Sequence, residues 1–151
     1  MAVRVKTTVT LKAEAHCPSH SRSDVRIRDV DFAIDEPLER GGTNLGPTPT
    51  DTALAALIGC TNVIGHKCAR ELGVDIGHLD ISASCDLDRR GVTLIEEIEV
   101  PFPSITLVVR ADGAASAQEL QTVGSEVEKF CPLSKLFENA GTELNVTWEK
   151  A

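Results

Sequence analysis

The first third of the chain alternates apolar and polar residues, and this pattern predicts two β-strands. The first alternating run consists of Val3, Val5, Thr7, Val9, Leu11 and Ala13. A period of two places these side chains on one face, so we expect a strand with one buried side. From Val25 to Ile34 the alternation continues but changes phase, which predicts a second strand with a bulge near Arg28 and Asp29.

A long apolar helix is predicted in the middle of the chain. The preceding residues 35–47 are rich in Gly, Pro, Asn and Thr, which indicates an ordered loop. Thr48 as N-cap, Pro49 at the first helical position and Asp51 at the third are typical of a helix start, and Gly73 marks the end. The segment ALAALIGCTNVIG is apolar or small on nearly every side, which predicts a buried central helix. Small residues on it would let another backbone approach closely: Ala53, Ala55, Ala56, Gly59 and Gly65.

The residues after this helix predict a β-meander of three strands. Leu79 to Leu87 alternates, a turn follows at DRRG, and Val92 to Val100 and Ile105 to Val109 give two further strands around PFP. Short alternating runs separated by turn residues are the usual signature of consecutive antiparallel strands.

Two helices and a closing strand are predicted at the C-terminal end. Ser116 and Glu119 have the spacing of a capping box, and Cys131-Pro132 restarts the chain as a short third helix. Alternation from Leu144 to Trp148 predicts the last strand. The order of elements predicts the α+β class, and the length of 151 residues predicts a single domain over residues 1–151.

The charge of the chain narrows the classes of partner. With 15 basic and 23 acidic residues the net charge is -8, which opposes the electrostatic attraction that dominates binding to nucleic acids and to anionic membranes. Single charges break every apolar run of the N-terminal segment MAVRVKTTVTLK, and no spanning segment is predicted after it, so we expect a cytoplasmic protein without a signal peptide. In a reducing compartment, an odd number of cysteines, here five, favours catalytic, metal-bound or inert thiols over structural disulfides.

The cysteines differ in the environment that their positions predict. Cys60 lies well inside the apolar helix, where a free thiol is either a small core residue or a shielded reactive group. Cys68 lies eight helical residues away, roughly 12 Å, which is too far for a disulfide with Cys60. Cys131 begins a helix, where free N–H groups favour the thiolate and lower the pKa. Cys85 alternates with inward residues and is expected in the core.

A metal site is the weaker alternative for this chemistry. His16, Cys17 and His20 lie close together, as do His66 and Cys68, but neither group has the doubled C-x-x-C spacing of a convincing zinc site. We therefore predict no bound metal and a solvated strand end around Cys17.

Two segments together resemble those of the OsmC/Ohr family of organic hydroperoxide reductases. They are GGTNLGPTPTDTALAALIGCTN, around Cys60, and VEKFCPLSKLF, around Cys131, about seventy residues later. Two cysteines in two matching contexts are more specific than either alone, and the order of elements extends the resemblance over nearly the whole chain. It implies an OsmC-like intertwined homodimer, with antiparallel sheets around the long central helix and active sites at the dimer interface.

The resemblance also implies a role for each of these two thiols. Cys60 is the peroxidatic cysteine, which attacks a small organic hydroperoxide and becomes a sulfenic acid. Cys131 is the resolving cysteine, which forms the Cys60–Cys131 disulfide that a dithiol reductant then opens. This cycle requires no cofactor.

Burial raises the pKa of a thiol, so Cys60 needs a nearby positive charge that lowers it again, and in the family an arginine supplies this charge. Arg22 is the nearest match, with Arg26 and Arg28 as alternatives. The family's glutamate, ten residues before the helix cysteine, holds this arginine, but this chain has Thr50 there. The neighbouring Asp51 either replaces that glutamate or simply caps the helix.

An organic hydroperoxide also requires an apolar pocket, although the chain has four Phe, one Trp and no Tyr. Leu57, Ile64, Phe130 and Leu133 are the candidate pocket residues. The principal alternative to a peroxidase is an OsmC-like stress protein that binds small molecules or thiols without turnover.

Overall fold

The computed structural model describes residues 6–151, and in this range the chain has two three-stranded sheets and four α-helices. The predicted α+β class is confirmed. The chain divides into two compact units, one up to Thr52 and one from Ala53 to Ala151. The expectation of one domain over residues 1–151 stays a prediction.

The first unit contains an antiparallel sheet of three short strands. They are β1 (Glu14–His16), β2 (Ser23–Ile27) and β3 (Val30–Ile34), in the order β1-β2-β3. The prediction of a first strand from Val3 to Ala13 is wrong from Thr7 onward, and Val3 and Val5 lie outside the described residues. Glu14 pairs with Arg26, so the residues before Ala13 extend beyond the end of β2. Alternation marks a possible face, but a strand also needs a neighbour to bond to.

A hairpin turn replaces the bulge that was predicted near Arg28 and Asp29. Ile27 pairs with Val30, so Arg28 and Asp29 form a two-residue connection in which Arg28 has a φ of 59°. Such turns require positive φ. The change of phase in the alternation therefore marks a reversal of chain direction rather than an extra residue in one strand.

The loop after β3 is organised by one buried carboxylate, that of Asp35. It accepts hydrogen bonds from the Thr43 hydroxyl (2.5 Å) and from the backbone N–H groups of Glu36 (2.8 Å), Thr43 (3.0 Å) and Leu45 (3.2 Å). The Thr43 hydroxyl first, and these backbone donors with it, hold the pKa of Asp35 well below its usual range against the effect of burial. The predicted loop is thus ordered by its own hydrogen bonds.

The long helix α1 (Pro49–Leu72) begins and ends as the sequence predicts. The Thr48 hydroxyl accepts from the Asp51 N–H at 3.1 Å, and the Asp51 carboxylate accepts from the Thr48 hydroxyl at 2.7 Å and its N–H at 3.3 Å. Gly73 follows the helix with a φ of 69°. One side of α1 is not buried: Ala55, Ala56, Gly59, Asn62 and Val63 are exposed, so the prediction of burial all round is wrong for this chain alone.

The sheet of the second unit is mixed rather than a meander. It has the order β4-β5-β6, where β4 (Leu79–Asp86) and β5 (Ser104–Ala111) are antiparallel and β6 (Glu143–Lys150) is parallel to β5. The predicted strand from Val92 to Val100 does not form.

A short helix and a loop take the place of that strand. Asp88 caps α2 (Arg89–Val92) by accepting from the Arg90 N–H at 3.1 Å. The Arg90 guanidinium pairs with Asp88 and Glu96, which holds the segment in a folded-back form. Local capping and ion pairs therefore outweigh the alternating pattern.

Helices α3 (Ala117–Phe130) and α4 (Pro132–Asn139) begin at the predicted capping residues, Ser116 and Cys131.

The core of the second unit is built from α1, α3 and β5. Its fully buried large side chains include Leu57, Ile105, Leu107, Val109, Leu120 and Val123. The Trp148 indole lies between two helical glycines, since an added Cβ would come within 2.7 Å of it at Gly65 and 2.6 Å at Gly124. The group that packs closely against Gly65 is therefore the Trp148 ring, and not a second backbone as the small residue suggested.

In the part of the chain that the structure describes, none of the helices has the length and apolar character that a bilayer crossing requires.

Candidate active site

Cys60 and Cys131 come together in the second unit, with their sulfur atoms 3.1 Å apart. Cys60 is on α1 and half-buried, whereas Cys131 is fully buried at the junction of α3 and α4. Both are free thiols. The fold thus makes a close pair of two cysteines that are 71 residues apart in the sequence.

The position of Cys131 favours its thiolate. Its sulfur accepts a hydrogen bond from the backbone N–H of Ser134 at 3.4 Å, as the N-cap of α4. Burial raises the pKa of Cys131, but its hydrogen bonds with the Ser134 hydroxyl and N–H, with Cys60 and with the Leu133 N–H together outweigh burial and lower the pKa. The lowered pKa is the one that the Cys-Pro helix start predicts.

The environment of Cys60 has the opposite effect. Burial raises the pKa of Cys60, and the neighbouring Cys131 sulfur raises it further, while the Leu133 N–H and the positive charge of Lys67 only partly oppose this. The more accessible sulfur is therefore the less acidic of the two. Both cysteines are free thiols, and the contact between them has the Cys131 sulfur as donor and the Cys60 sulfur as acceptor.

Lys67 acts on the pKa of Cys60 and Ser134 on the pKa of Cys131, but neither residue was singled out from the sequence. Lys67 follows Cys60 by two helical turns, so the two side chains are on the same side of α1. Ser134 is the third residue of α4, where an N-cap side chain receives its hydrogen bond. Both could have been found from these spacings once Cys60 and Cys131 were chosen.

An apolar groove of about 320 Å³ is lined by two of the four predicted pocket residues, Ile64 and Phe130. Its other lining residues are Lys67, Cys68, Glu71, Leu72 and Glu126. Ile64 is one turn after Cys60 on α1, and Phe130 directly precedes Cys131. The structure places Leu57 in the core with no exposed surface, and Leu133 in a half-buried position on α4.

The predicted charged residues of the site are in the first unit. The Arg22 guanidinium bonds to Asp24 (Nε to Oδ1, 2.7 Å), and Arg26 lies 3.8 Å from Asp31. Arg28 occupies the hairpin turn, and Asp51 caps α1. The catalytic roles of Arg22 and Asp51 stay predictions.

The sequence profile of the OsmC-like protein family matches residues 42–147. The chain belongs to the OsmC family. No match to the sequence was found among curated proteins.

Solved structures of OsmC and Ohr proteins share the fold. An OsmC-like protein from Mycoplasma pneumoniae has a TM-score of 0.80 at 16% identity, covering 95% of this chain and 98% of that one. An organic hydroperoxide resistance protein from Elizabethkingia anophelis, with crystallant-derived thiocyanate bound, has a TM-score of 0.72 at 17% identity. The match covers 97% of this chain and 99% of that one. OhrB of Bacillus subtilis, also an organic hydroperoxide resistance protein, has a TM-score of 0.64 at 20% identity, covering 93% of this chain and 98% of that one. The TM-scores establish a common fold.

This OsmC family chain has three further free cysteines, Cys17, Cys68 and Cys85. Burial raises the pKa of Cys68 and of Cys85, so both favour the neutral thiol, and Cys17 is exposed. Thr50, at the position of the family glutamate, is 3.1 Å from the Thr48 hydroxyl. Between residues 6 and 151, the structure gathers no three His, Cys, Asp or Glu side chains that could hold a metal ion.

Proposed function

We propose that this protein is a thiol peroxidase that reduces organic hydroperoxides through a Cys60 sulfenic acid and a Cys60–Cys131 disulfide. The observation that supports this most directly is the 3.1 Å contact between the two sulfur atoms. A disulfide bond is about 2.05 Å long, so an approach of about 1 Å is enough to form it.

The exposure of the two thiols supports the order of events. Cys60 is half-buried and can meet a peroxide, whereas Cys131 has no exposed surface. Attack by the Cys60 thiolate on a peroxide oxygen gives an alcohol and a sulfenic acid. Cys131 then displaces the sulfenic oxygen, and a dithiol reductant restores both thiols. We place this cycle in the cytoplasm, where reduced dithiols are available.

The apolar groove supports an organic substrate rather than hydrogen peroxide. Ile64 and Phe130 flank the two cysteines in the sequence and line the groove, and 64% of Phe130 is exposed. An apolar wall favours the alkyl or aryl part of a hydroperoxide. Two of the proteins with the same fold are named for organic hydroperoxide resistance.

Titration of the reduced protein with cumene hydroperoxide tests the proposal. We expect two thiols per chain to be lost rapidly and to return with a dithiol. The Cys85→Ser variant should also lose two thiols. Retention of all thiols in excess peroxide would favour the alternative, an OsmC-like protein that binds small molecules or thiols without turnover.

We further propose that the protein is a homodimer. The exposed side of α1 carries the small residues Ala55, Ala56 and Gly59, and an added Cβ at Gly59 would meet nothing within 4 Å. Such a smooth apolar surface allows close contact with a second copy. Light scattering should give twice the chain mass for the wild-type protein and for a Gln118→Arg control, and the chain mass for Ala55→Arg. A monomeric wild-type protein would contradict the proposal.

A further inference from the structure

We propose that the apolar groove beside the thiol pair takes the hydrocarbon tail of the hydroperoxide, and that Glu71 and Glu126 at its far end select tails without a terminal carboxylate. This inference rests on the peroxidase function proposed above. It narrows the substrate class from organic hydroperoxides in general to those whose tail ends in an uncharged group.

One wall of the groove is a stripe of α1 that starts at the accessible thiol. Cys60, Ile64, Lys67 and Glu71 are separated by four, three and four residues, so they lie one above another on the same face of the helix. All of them except Cys60 line the groove. At 1.5 Å per residue, the stripe from Cys60 to Glu71 is roughly 16 Å long. It connects the thiol to the C-terminal end of α1.

The opposite wall is the end of α3, which runs antiparallel to α1 at this place. Cys131 directly follows α3, and its sulfur is 3.1 Å from that of Cys60. Glu126, further back on α3, lies near Cys68, because burial raises the pKa of Cys68 and the charge of Glu126 raises it further. The groove, of about 320 Å³, therefore has the thiol pair at one end and its two carboxylates at the other.

The lining of the groove suits a hydrocarbon chain. Its apolar lining residues are Ile64, Cys68, Leu72 and Phe130. Of these, Leu72 is 43% and Phe130 64% exposed, and a chain that covers them removes apolar surface from water. Ala55 and Gly59, which we assign to the dimer contact, do not line the groove. Its continuity with the thiol pair favours the tail of the substrate as its occupant over a second copy of the chain.

Positive and negative charges are separated along the groove. Lys67 is the lysine whose charge acts on Cys60, whereas Glu71 and Glu126 lie toward the end of α1, where the helix dipole is negative. Lys67 and Glu71 form no ion pair in the described part of the chain. Lys129 pairs with Glu126, but 62% of the lysine side chain is exposed, so solvent screens this pair. A carboxylate at the end of a substrate tail would meet like charge there.

Two hydroperoxides that differ only at the end of the tail test this assignment. They are 12-hydroperoxydodecanoic acid and its methyl ester, whose extended chain is close in length to the stripe on α1. The kcat/KM of each is measured at neutral pH and low ionic strength, with cumene hydroperoxide as a substrate that has no such tail. The proteins compared are the wild type, Glu71→Gln, Glu126→Gln, Glu71→Lys and the control Glu128→Gln. Glu128 is on α3 but is not among the lining residues of the groove.

We expect the wild-type protein to have about a fivefold higher kcat/KM for the ester than for the acid, and added salt to reduce the difference. Glu71→Gln and Glu126→Gln should each bring the ratio closer to one, Glu71→Lys should reverse the preference, and Glu128→Gln should keep the wild-type ratio. Because the ratio compares two substrates on the same protein, partial unfolding of a variant does not change it.

Equal kcat/KM values for the acid and the ester, or a ratio that neither glutamine variant changes, would overturn the role of the two carboxylates. Turnover of cumene hydroperoxide in the same experiment would still support the proposed function. A wild-type protein that consumes none of the three hydroperoxides would overturn the proposed function, and this inference with it.

Discussion

The middle of α1, around Cys60, and the start of α4, around Cys131, place the same side chain in two different electrostatic environments. Inside a helix, backbone N–H groups are already bonded to carbonyls four residues earlier, so they offer little to a buried sulfur. At a helix start the first N–H groups are free, and that of Ser134 bonds to Cys131. The pKa of Cys60 is accordingly raised and that of Cys131 lowered.

The two regions also differ in access, and in the opposite sense. Cys131, which is more acidic, is fully buried, whereas Cys60, which is less acidic, has exposed surface. A helix start can therefore lower the pKa of a thiol that is fully buried, while a neighbouring helix presents the reacting thiol to solvent. The following experiments test this division of roles.

The largest effect should come from replacing the accessible thiol. We expect Cys60→Ser to consume no organic hydroperoxide, because it lacks the reachable nucleophile. Cys131→Ser should react once and stop at a sulfenic acid that dimedone traps on Cys60. Dimedone on Cys131 in the Cys60→Ser protein would reverse the roles of the two cysteines.

The next largest effect should follow the loss of the predicted positive charge. We expect Arg22→Ala to slow peroxide consumption by about two orders of magnitude, since a thiolate with a raised pKa depends on such a charge. Arg26→Ala is the matched control and should lower the rate much less. Steady-state rates, with circular dichroism as the check of folding, make the comparison. If Arg26→Ala were the slower variant, the assignment of Arg22 would be wrong.

Side chains in the two regions should contribute unequally to the free energy of unfolding, because they are buried to different extents. Leu57, one turn before Cys60, has no exposed surface, whereas 61% of Leu136 on α4 is exposed. We expect Leu57→Ala to lower the free energy of unfolding by about 2–5 kcal/mol, through lost burial and a cavity. Leu136→Ala should change it by about 0.5 kcal/mol or less. Urea unfolding of both variants gives the comparison, and similar losses would contradict the burial difference.

The smallest effect should come from one donor at the start of α4. Ser134→Ala removes a hydroxyl that lowers the pKa of Cys131 but leaves the backbone N–H in place. We expect the pH at which formation of the Cys60–Cys131 disulfide is half-maximal to move upward, because Cys131 then keeps its proton to a higher pH, with less than about a tenfold loss of the rate of disulfide formation at neutral pH. Ser125→Ala, on the exposed side of α3, is the control. An unchanged pH profile would show that the hydroxyl has no part in this tuning.

The elements predicted correctly are those that local interactions define. The start of α1 at Thr48, Pro49 and Asp51, the capping box at Ser116 and the N-cap role of Cys131 all depend on residues within one turn of each other. Capping groups and the backbone they bond are adjacent in the chain, so a short sequence pattern is enough to place them. The same locality made the lowered pKa of Cys131 predictable.

Most of the predictions that were wrong concern strands. Residues 7–13 and 92–100 alternate as strands do, yet neither forms one. A strand requires a second segment at hydrogen-bonding distance, and an alternating pattern does not say whether one is present. The parallel pairing of β6 with β5 depends likewise on a crossover through α3 and α4 rather than on either strand alone.

The sequence by itself determined the bounds of α1, the starts of α3 and α4, the α+β class and, through two matching segments, the family. Only the tertiary structure decided that the sulfur atoms of Cys60 and Cys131 lie 3.1 Å apart, that Cys131 is the buried one, and that Ile64 and Phe130 line the same groove. The reason is that capping and helical periodicity act over a few residues. Contact between positions 71 residues apart depends instead on how α1, α3 and α4 pack around a common core.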